Sequence, residues 1–189
     1  MSSNVEKKSL HIFMMVGHAG SGKSFFASRL AEKKGLVRLN GDSMRMALFG
    51  SVEEIRKQPV VVRREGIFQA VDYAAKQVLE AGHDVVYDSN NNRRDTREAK
   101  REMARQFNAS VIAIWVKAGR DIAVKRVQNR EEAIDQRVFD ELSGSKVIDR
   151  HIANFDPFSS DEEVIEIDGT MPFDEQLQSF NIQLKAIND

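Results

Sequence analysis

The sequence contains no cysteine, and this absence removes several kinds of chemistry at once. Without a thiol there is no disulfide framework, no thiolate ligand for a metal and no cysteine nucleophile. A surplus of basic residues is also missing, because 28 Lys and Arg are offset by 29 Asp and Glu. The chain therefore lacks the overall positive charge that is typical of nucleic-acid-binding proteins, and a polyanion would need a local basic patch.

Long apolar runs are absent as well. No segment approaches the roughly 20 consecutive apolar residues that a membrane-spanning helix requires, so we expect a cytoplasmic protein that does not insert into a membrane. Hydrophobic residues nevertheless make up 41% of the 189 residues, and charged residues 30%, which is a balance typical of folded domains. The length suits one domain. We predict a flexible tail over residues 1–9 and a single domain over residues 10–189.

Strand-like and helix-like segments alternate along this domain. Apolar runs predict strands at residues 10–16, 36–40, 85–88, 110–116 and 164–167, and apolar side chains at helical spacing predict helices between them. Such crossovers give a parallel sheet covered on both faces. We therefore expect an α/β fold in three layers, with a five-stranded parallel sheet between helices. Charged residues without a sustained apolar face predict a small lid at about residues 126–146, whereas residues 51–62 fit no single pattern.

A phosphate-binding motif follows the first strand. Residues 17–24 match G-x-x-x-x-G-K-[ST] at every fixed position, between an apolar strand and an amphipathic helix. Main-chain N–H groups of this motif wrap around phosphates, the lysine adds a cation, and the serine binds magnesium. The motif predicts a P-loop NTPase fold that binds ATP with Mg²⁺. The predicted nucleotide-binding residues are Gly17, His18, Ala19, Gly20, Ser21, Gly22, Lys23, Ser24 and Phe25.

Two of these positions have a more specific interpretation. Lys23 is a candidate catalytic residue because its charge faces the phosphates, and Ser24 is the candidate magnesium ligand. His18 occupies a variable position of the motif, and we interpret it as a spacer with local hydrogen bonds, because histidines at such positions seldom act as catalysts.

The rest of the sequence favours a kinase among P-loop proteins. A guanine-reading N-K-x-D segment is missing from the chain, and the length leaves no room for the helical lid domain of a ring ATPase. A small kinase that transfers the γ-phosphoryl group of ATP to a hydroxyl is the leading hypothesis. The alternative is a nucleotide-binding switch or adaptor that hydrolyses ATP slowly and has no dedicated acceptor.

Candidate acceptor-side residues follow the second predicted strand. A carboxylate at Asp42 can accept the proton of an attacking hydroxyl, and Arg45, one helical turn later, can hold a phosphate or carboxylate of the substrate. The alternative for this pair is that Asp42 merely caps the following helix and that Arg45 is solvated.

Three further charged residues are candidates for phosphoryl-transfer chemistry. Asp88 ends the third strand, where it can orient magnesium through water, although strand-ending aspartates are also common for structural reasons. Arg126 and Arg130 lie four residues apart at the start of the predicted lid, where they can contact the ATP phosphates in the transition state. For these two arginines, simple solvation is an equally good interpretation.

These motifs together resemble a known group of AAA-type P-loop domains. The P-loop, D-x-x-R at residues 42–45, D-[ST]-N at residues 88–90 and R-x-x-x-R at residues 126–130 look like the 5′-polynucleotide kinase branch of P-loop kinases. Zeta toxins and small-molecule kinases are relatives of this branch. The likeness spans about residues 10–169, but the phosphatase domain joined to some polynucleotide kinases is missing.

The resemblance implies a role for each matching residue. Asp42 is implied as the general base, and Arg45 as the anchor of a substrate phosphate. Asp88 and Asn90 are implied to line the acceptor side. The lid arginines are then Arg126 and Arg130, and ATP and magnesium are held by Lys23 and Ser24.

The acceptor itself stays open between a nucleic-acid end and a small molecule. Arg94, Arg97, Arg101 and Arg105 form a basic stripe at helical spacing beside the proposed acceptor edge, and Arg94 is a further candidate substrate-binding residue. Acidic residues interspersed in this segment favour ion pairs on a solvated helix face over a polyanion site. Aromatic residues that would stack bases are also missing from the stripe.

Overall fold

The predicted five-stranded parallel sheet is confirmed by the structure, a computed structural model that describes residues 9–129 and 141–189, the side chains of 141–143 excepted. The strand order is β2-β3-β1-β4-β5, and every neighbouring pair is parallel. This order places the ends of β1, β2 and β3 side by side. The strands are β1 (Leu10–Val16), β2 (Val37–Asn40), β3 (Val85–Asp88), β4 (Ala109–Lys117) and β5 (Glu163–Asp168).

Helices connect successive strands, as right-handed crossovers require. They are α1 (Lys23–Lys34), α2 (Gly41–Phe49), α3 (Val52–Lys57), α4 (Ile67–Glu80), α5 (Arg94–Arg105), α6 (Arg120–Gln128), α7 (Glu141–Ala153) and α8 (Phe173–Asn188). The ambiguous segment 51–62 forms α3 and then enters a π-helical turn, Val62–Gly66, that leads into α4. No helix within residues 9–129 and 141–189 is both long and apolar enough to span a bilayer.

The side chains of β1 divide between two cores and so explain the three layers. Phe13 and Met15 pack with α1 and α8, where Phe26 and Phe180 are buried. The alternate residues of the strand pack with α4 and α5 on the opposite face. Successive side chains of a strand point to opposite faces, so a continuous apolar run is what a strand between two helix layers requires.

The start of α2 differs from the expectation and bears on Asp42. Asn40 is the cap of this helix, because its side-chain oxygen accepts a hydrogen bond of 2.7 Å from the main-chain N–H of Ser43. The helix begins at Gly41, directly after this cap. Asp42 lies in the first turn, and the cap of α2 is provided by another side chain.

Three of the four arginines in the basic stripe on α5 form ion pairs, and one of these three is not solvated. Arg101 binds Glu98 and Asp161, and Arg105 binds Glu98 and Glu102, in agreement with the expected ion pairs. The expectation of a solvated face is wrong for Arg97, which is fully buried. Helical spacing alone does not reveal that the segment before β5, including Pro157 and Glu162, covers this part of α5.

Part of the predicted domain organisation falls outside the described residues. The tail over residues 1–9 is described only at residue 9, and most of the predicted lid, including Arg130, lies in the undescribed range. At the borders of that range, Arg126 belongs to α6, and residues 144–146 belong to α7.

Candidate active site

A large cleft opens at the carboxyl ends of β1, β2 and β3. Its volume is about 1400 Å³, and residues of α1, α2, α4, α5, α6 and α7 form its walls. Parallel α/β sheets bind ligands at this edge. The predicted site residues that line it are Ala19, Gly20, Gly22, Lys23, Ser24, Phe25, Asp42, Arg45, Asp88, Asn90 and Arg126.

The P-loop has the conformation that its glycines allow. Gly17, Gly20 and Gly22 have backbone φ values of 139°, 78° and 106°. Residues that carry a Cβ rarely adopt such values. A Cβ on Gly20 would lie 2.5 Å from the carbonyl oxygen of Ala123, so α6 packs directly against the loop. The ammonium group of Lys23 donates hydrogen bonds of 2.7 Å to the carbonyl oxygens of Gly17 and His18.

The imidazole of His18 has local partners, in line with its interpretation as a spacer. Nδ1 lies 2.9 Å from the carbonyl oxygen of Ala19, and Nε2 lies 2.9 Å from the carbonyl oxygen of Ala118. Carbonyl oxygens only accept hydrogen bonds, so a neutral imidazole donates to one of the two at a time. The ring therefore fastens the loop to the end of β4.

Two side chains that the sequence did not single out hold the loop from the other side. The side-chain oxygen of Asn92 accepts a hydrogen bond of 2.9 Å from the main-chain N–H of Gly17. Nδ1 of His151, on α7, accepts one of 3.2 Å from the N–H of Ala19. Asn92 also donates to the carbonyl oxygen of His151, at 3.2 Å. The run of three asparagines after β3 was the sequence signal for Asn92, whereas no local pattern points to His151.

Gly169, just after β5, is a further residue that sequence reasoning missed. Its N–H donates a hydrogen bond of 2.7 Å to the carbonyl oxygen of Lys117. A Cβ at this position would lie 1.9 Å from the carbonyl oxygen of Ser21, in the P-loop. A close backbone approach of this kind is possible only for glycine.

We therefore expect Gly169→Ala to destabilise the fold through the P-loop. Overpacking against main-chain atoms costs about 1–3 kcal/mol of unfolding free energy, which urea denaturation measures. The matched control is Gly66→Ala, because a Cβ there meets only the Val61 carbonyl oxygen at 3.9 Å, in helical backbone. This change should stabilise the protein by roughly 0.5–1 kcal/mol. Equal effects of the two substitutions would contradict the close approach of Gly169 to the P-loop.

Asp88 and Ser24 form the candidate magnesium site. The hydroxyl of Ser24 lies 3.4 Å from Oδ1 of Asp88. The residue Asp88 is buried, with 3% of its surface exposed. Among the described residues, no group of three or more His, Asp or Glu side chains is arranged around a metal position. Oxygen donors of this type and low number fit Mg²⁺, which takes its other ligands from phosphate and water.

Asp88 also has two partners on β2 that the sequence did not reveal. Arg38 donates from Nε at 3.0 Å and from Nη2 at 2.5 Å to Oδ2 of Asp88, and Asn40 donates to the same oxygen at 2.8 Å. The parallel pairing of β2 with β3 sets Asn40 beside Asp88. Arg38 was visible only as a charged residue within a strand.

Asp42 and Arg45 form an ion pair at the mouth of the cleft. Nη1 of Arg45 donates a hydrogen bond of 2.7 Å to Oδ1 of Asp42, and Nε donates one of 2.8 Å to the carbonyl oxygen of Arg63. Arg45 is 7% exposed, so the interpretation of a solvated arginine is wrong. Arg63 belongs to the π-helical turn, a geometry that is frequent at functional sites.

The remaining predicted arginines differ in their placement. Arg126 reaches the P-loop, with Nη1 at 3.4 Å from the carbonyl oxygen of Gly20. Arg94 is exposed and does not line the cleft, whereas its neighbour Arg93 does. Arg150, on α7, lines the cleft and was not among the candidates. Arg130 lies outside the described residues.

The far end of the cleft lies between α4 and α5. Phe68 lines one wall, and Thr96 and Lys100 line the other. Asp72 connects the walls, since it accepts hydrogen bonds of 2.7 Å from Lys100 and from the hydroxyl of Tyr87. Burial, reinforced by the charge of Asp72, raises the pKa of Tyr87, so its phenol stays protonated. This network links α4 to α5 and to β3.

Comparisons with known proteins agree on the fold. A family model described as an AAA domain matches residues 12–157. A sugar kinase from Janibacter sp. HTCC2649 is similar in structure, with 18% identity, a TM-score of 0.66 and coverage of 94% of this chain and 95% of that one. A gluconokinase from Sinorhizobium meliloti 1021 has 18% identity, a TM-score of 0.64 and 95% coverage of both chains.

A third solved structure extends this agreement. A Chloroflexus aurantiacus J-10-fl protein, provisionally described as a kinase, has 19% identity, a TM-score of 0.72 and coverage of 96% of this chain and 98% of that one. No curated protein matches the sequence significantly. None of these matches singles out the polynucleotide kinase and zeta toxin branch. Since the family match extends over residues 12–157, the protein belongs to this family of AAA domains, and its fold is that of P-loop kinases.

Proposed function

We propose that the protein is a phosphotransferase that uses Mg²⁺ and ATP to phosphorylate a hydroxyl of a small, negatively charged molecule. The P-loop, with Lys23 and Ser24, holds the triphosphate. Asp42 faces the acceptor and serves as the general base. The arginines of the cleft, including Arg126 and Arg150, neutralise charge on the phosphates.

One chain of contacts carries this proposal, because it joins the candidate base to the P-loop. Ser24 contacts Asp88 at 3.4 Å, and Asp88 accepts a hydrogen bond of 2.8 Å from Asn40. Asp42 follows two residues later, and its carboxylate is held by Arg45. A base oriented in this way, beside the phosphate loop, is what transfer to a hydroxyl requires.

The proposed reaction needs only groups that line the cleft. The acceptor oxygen forms a bond to the γ-phosphorus while the bond from that phosphorus to the β,γ-bridging oxygen breaks, and ADP leaves. The hydroxyl proton passes to the carboxylate of Asp42. Ser24 would hold magnesium and Asp88 would orient it through water, and the ion would supply positive charge next to the phosphate oxygens. Lys23 exchanges its loop carbonyl partners for phosphate when ATP binds.

The charge of the acceptor end supports a small anion as the substrate. The described residues that line this end include four cations, Arg45, Arg64, Arg93 and Lys100, three of which also have carboxylate partners. Arginine binds carboxylates and phosphates through paired hydrogen bonds. A hydrogen bond from Lys100 to Asp72 links α5 to α4 next to the cleft, and a crosslinked groove suits a compact molecule better than a strand.

The described relatives and the surface of α5 favour the same acceptor class. The named similar structures include a sugar kinase and a gluconokinase. A hydroxylated acid has both features that the proposed site requires, namely a hydroxyl that accepts the phosphoryl group and a negative charge that the cations bind. A polynucleotide is disfavoured, because the basic stripe on α5 is engaged in ion pairs at Arg97, Arg101 and Arg105.

An acceptor screen with γ-labelled ATP tests the proposal. The panel contains D-gluconate, D-glucose, glycerol 3-phosphate, adenosine and a 5′-hydroxyl oligonucleotide. We expect labelled product from an anionic small molecule and at least a tenfold lower kcat/KM for its neutral counterpart, because one lost charge-assisted contact costs about 1.5–3 kcal/mol. Transfer to the oligonucleotide alone would contradict the acceptor class. ATP hydrolysis that no acceptor changes would support a switch or adaptor instead.

A further inference from the structure

The two oxygens of Asp88 have different surroundings. Oδ2 receives three hydrogen bonds, from Nε and Nη2 of Arg38 and from the amide of Asn40. Oδ1 has only the Ser24 hydroxyl as a described hydrogen-bond partner, at a long 3.4 Å. The carboxylate thus has its β2 side saturated with hydrogen bonds, whereas Oδ1 faces Ser24 of the P-loop through one long contact.

The fold fixes this asymmetry. Arg38 and Asn40 are two residues apart on β2, so their side chains point to the same face. Asn40 is paired in register with Asp88 on β3. The side chains of Arg38 and Asp88 are 17% and 2% exposed, so the ion pair is largely shielded from water. Such a pair holds its geometry more firmly than a surface ion pair does.

We propose that Arg38 is a positioning residue that makes the site selective for Mg²⁺ over Ca²⁺. Because Arg38 and Asn40 occupy Oδ2, the Asp88 carboxylate cannot chelate a metal through both oxygens. Calcium uses bidentate carboxylates in larger, flexible coordination shells, whereas magnesium keeps its waters and takes few carboxylate oxygens. Oδ1 alone is suited to accept a hydrogen bond from a water of hydrated magnesium. The positive charge of Arg38 also weakens direct attraction between Asp88 and any divalent cation.

The inference rests on the proposed function only in requiring that nucleotide and metal bind at this cleft. Its test is therefore a binding measurement without turnover. A fluorescent, non-hydrolysable ATP analogue is titrated with MgCl₂ and, separately, with CaCl₂, and the ratio of the two half-saturating concentrations is the readout. The variants are Arg38→Met, which removes the guanidinium, and Arg38→Lys, which keeps the charge but not the paired donors.

We expect the calcium-to-magnesium ratio to fall about tenfold in Arg38→Met, with calcium binding strengthened more than magnesium binding. Arg38→Lys should lower the ratio about threefold, and it decides the question if the methionine variant does not fold. Arg101→Met is the matched control, because it removes an arginine from ion pairs with Glu98 and Asp161 away from the cleft. Its ratio should equal that of the parent protein.

Two outcomes overturn the inference and can be told apart. If the parent binds the nucleotide with metal, but the folded Arg38 variants keep its calcium-to-magnesium ratio, Arg38 does not select the metal and the proposed function still stands. If the parent shows no metal-dependent nucleotide binding at all, both the inference and the proposed function fail.

Discussion

Replacement of Asp42 by asparagine is expected to reduce kcat about 10²–10⁴-fold, the contribution typical of a general base. The amide keeps the size of the carboxylate and can still accept a hydrogen bond from Arg45, but it cannot take the proton of the acceptor hydroxyl. Because Asp42 does not belong to the P-loop, the dissociation constant of Mg·ATP should change less than about threefold. Steady-state kinetics with the acceptor from the screen, together with equilibrium titration of a nucleotide analogue, measures both quantities.

The control for this substitution is an acid outside the cleft. Glu102 is exposed on α5 and pairs with Arg105 at the surface, and neither residue lines the cleft. Glu102→Gln should leave kcat within about twofold of the parent value, since surface ion pairs contribute little. A thermal melt of Asp42→Asn separates lost catalysis from lost folding, because the variant also weakens a partner of the buried Arg45. Parental kcat in the folded Asp42→Asn variant would show that another group accepts the proton.

Replacement of Arg97 by alanine is expected to cost about 3–5 kcal/mol of unfolding free energy, as for other broken buried ion pairs. The guanidinium is fully buried and bonds both carboxylate oxygens of Glu162, at 2.6 and 3.0 Å. It also donates to the carbonyl oxygen of Asn92 and lies 4.6 Å from the ring centre of Phe158. Its loss leaves the Glu162 charge without its counter-ion in a largely water-excluded site.

Urea denaturation of Arg97→Ala beside Arg105→Ala measures this cost. Arg105 lies on the same helix, but its side chain is 54% exposed, so its removal should cost less than about 1 kcal/mol. The Arg97 variant should also bind ATP more weakly, because Asn92 links Arg97 to the N–H of Gly17 in the P-loop. A loss of stability below about 1 kcal/mol in both variants would mean that the buried pair adds little to the fold.

The same ion pair gives the expected direction of the acid response. Burial alone raises the pKa of Glu162, but hydrogen bonds from Arg97 and Ser159 outweigh it and leave the pKa below its ordinary value. A carboxyl with a lowered folded-state pKa stabilises the protein above its unfolded-state pKa, about 4.3. This stabilisation is lost as the pH falls through the lowered value. Arg97→Ala should therefore flatten the dependence of stability on pH below about 4.3.

Several features of the site were accessible to sequence reasoning because they are local. The P-loop is eight contiguous residues with a strand before it and a helix after it, and the structure shows the expected positive φ values at its glycines. The strands of the sheet are largely apolar runs, and each of their ends was found to within one residue. Asp42, Arg45 and Asp88 could be proposed because they lie at or shortly after the carboxyl ends of strands, and parallel strands bring these ends to one edge.

Other features depend on residues that are distant in the chain. Asp88 lies 50 residues from Arg38, and Arg97 lies 65 residues from Glu162. The helix periodicity that placed Arg97 on a solvated stripe describes α5 in isolation, and it carries no information about what covers that helix. Similarly, the spacing of Asp42 fitted a helix cap, but the register of β2 against β3 gives the cap to Asn40.

The sequence by itself determined the layered α/β architecture and the phosphate loop, since hydrophobic periodicity and a contiguous glycine motif act over a few residues and need no partner. Only the tertiary structure decided which charges are paired, which are buried and which face the cleft. Those outcomes depend on desolvation and on contacts across the sheet, as at Asp88 with Arg38 and at Gly169 with Ser21. Neither desolvation nor a cross-sheet contact exists until the strands have assembled.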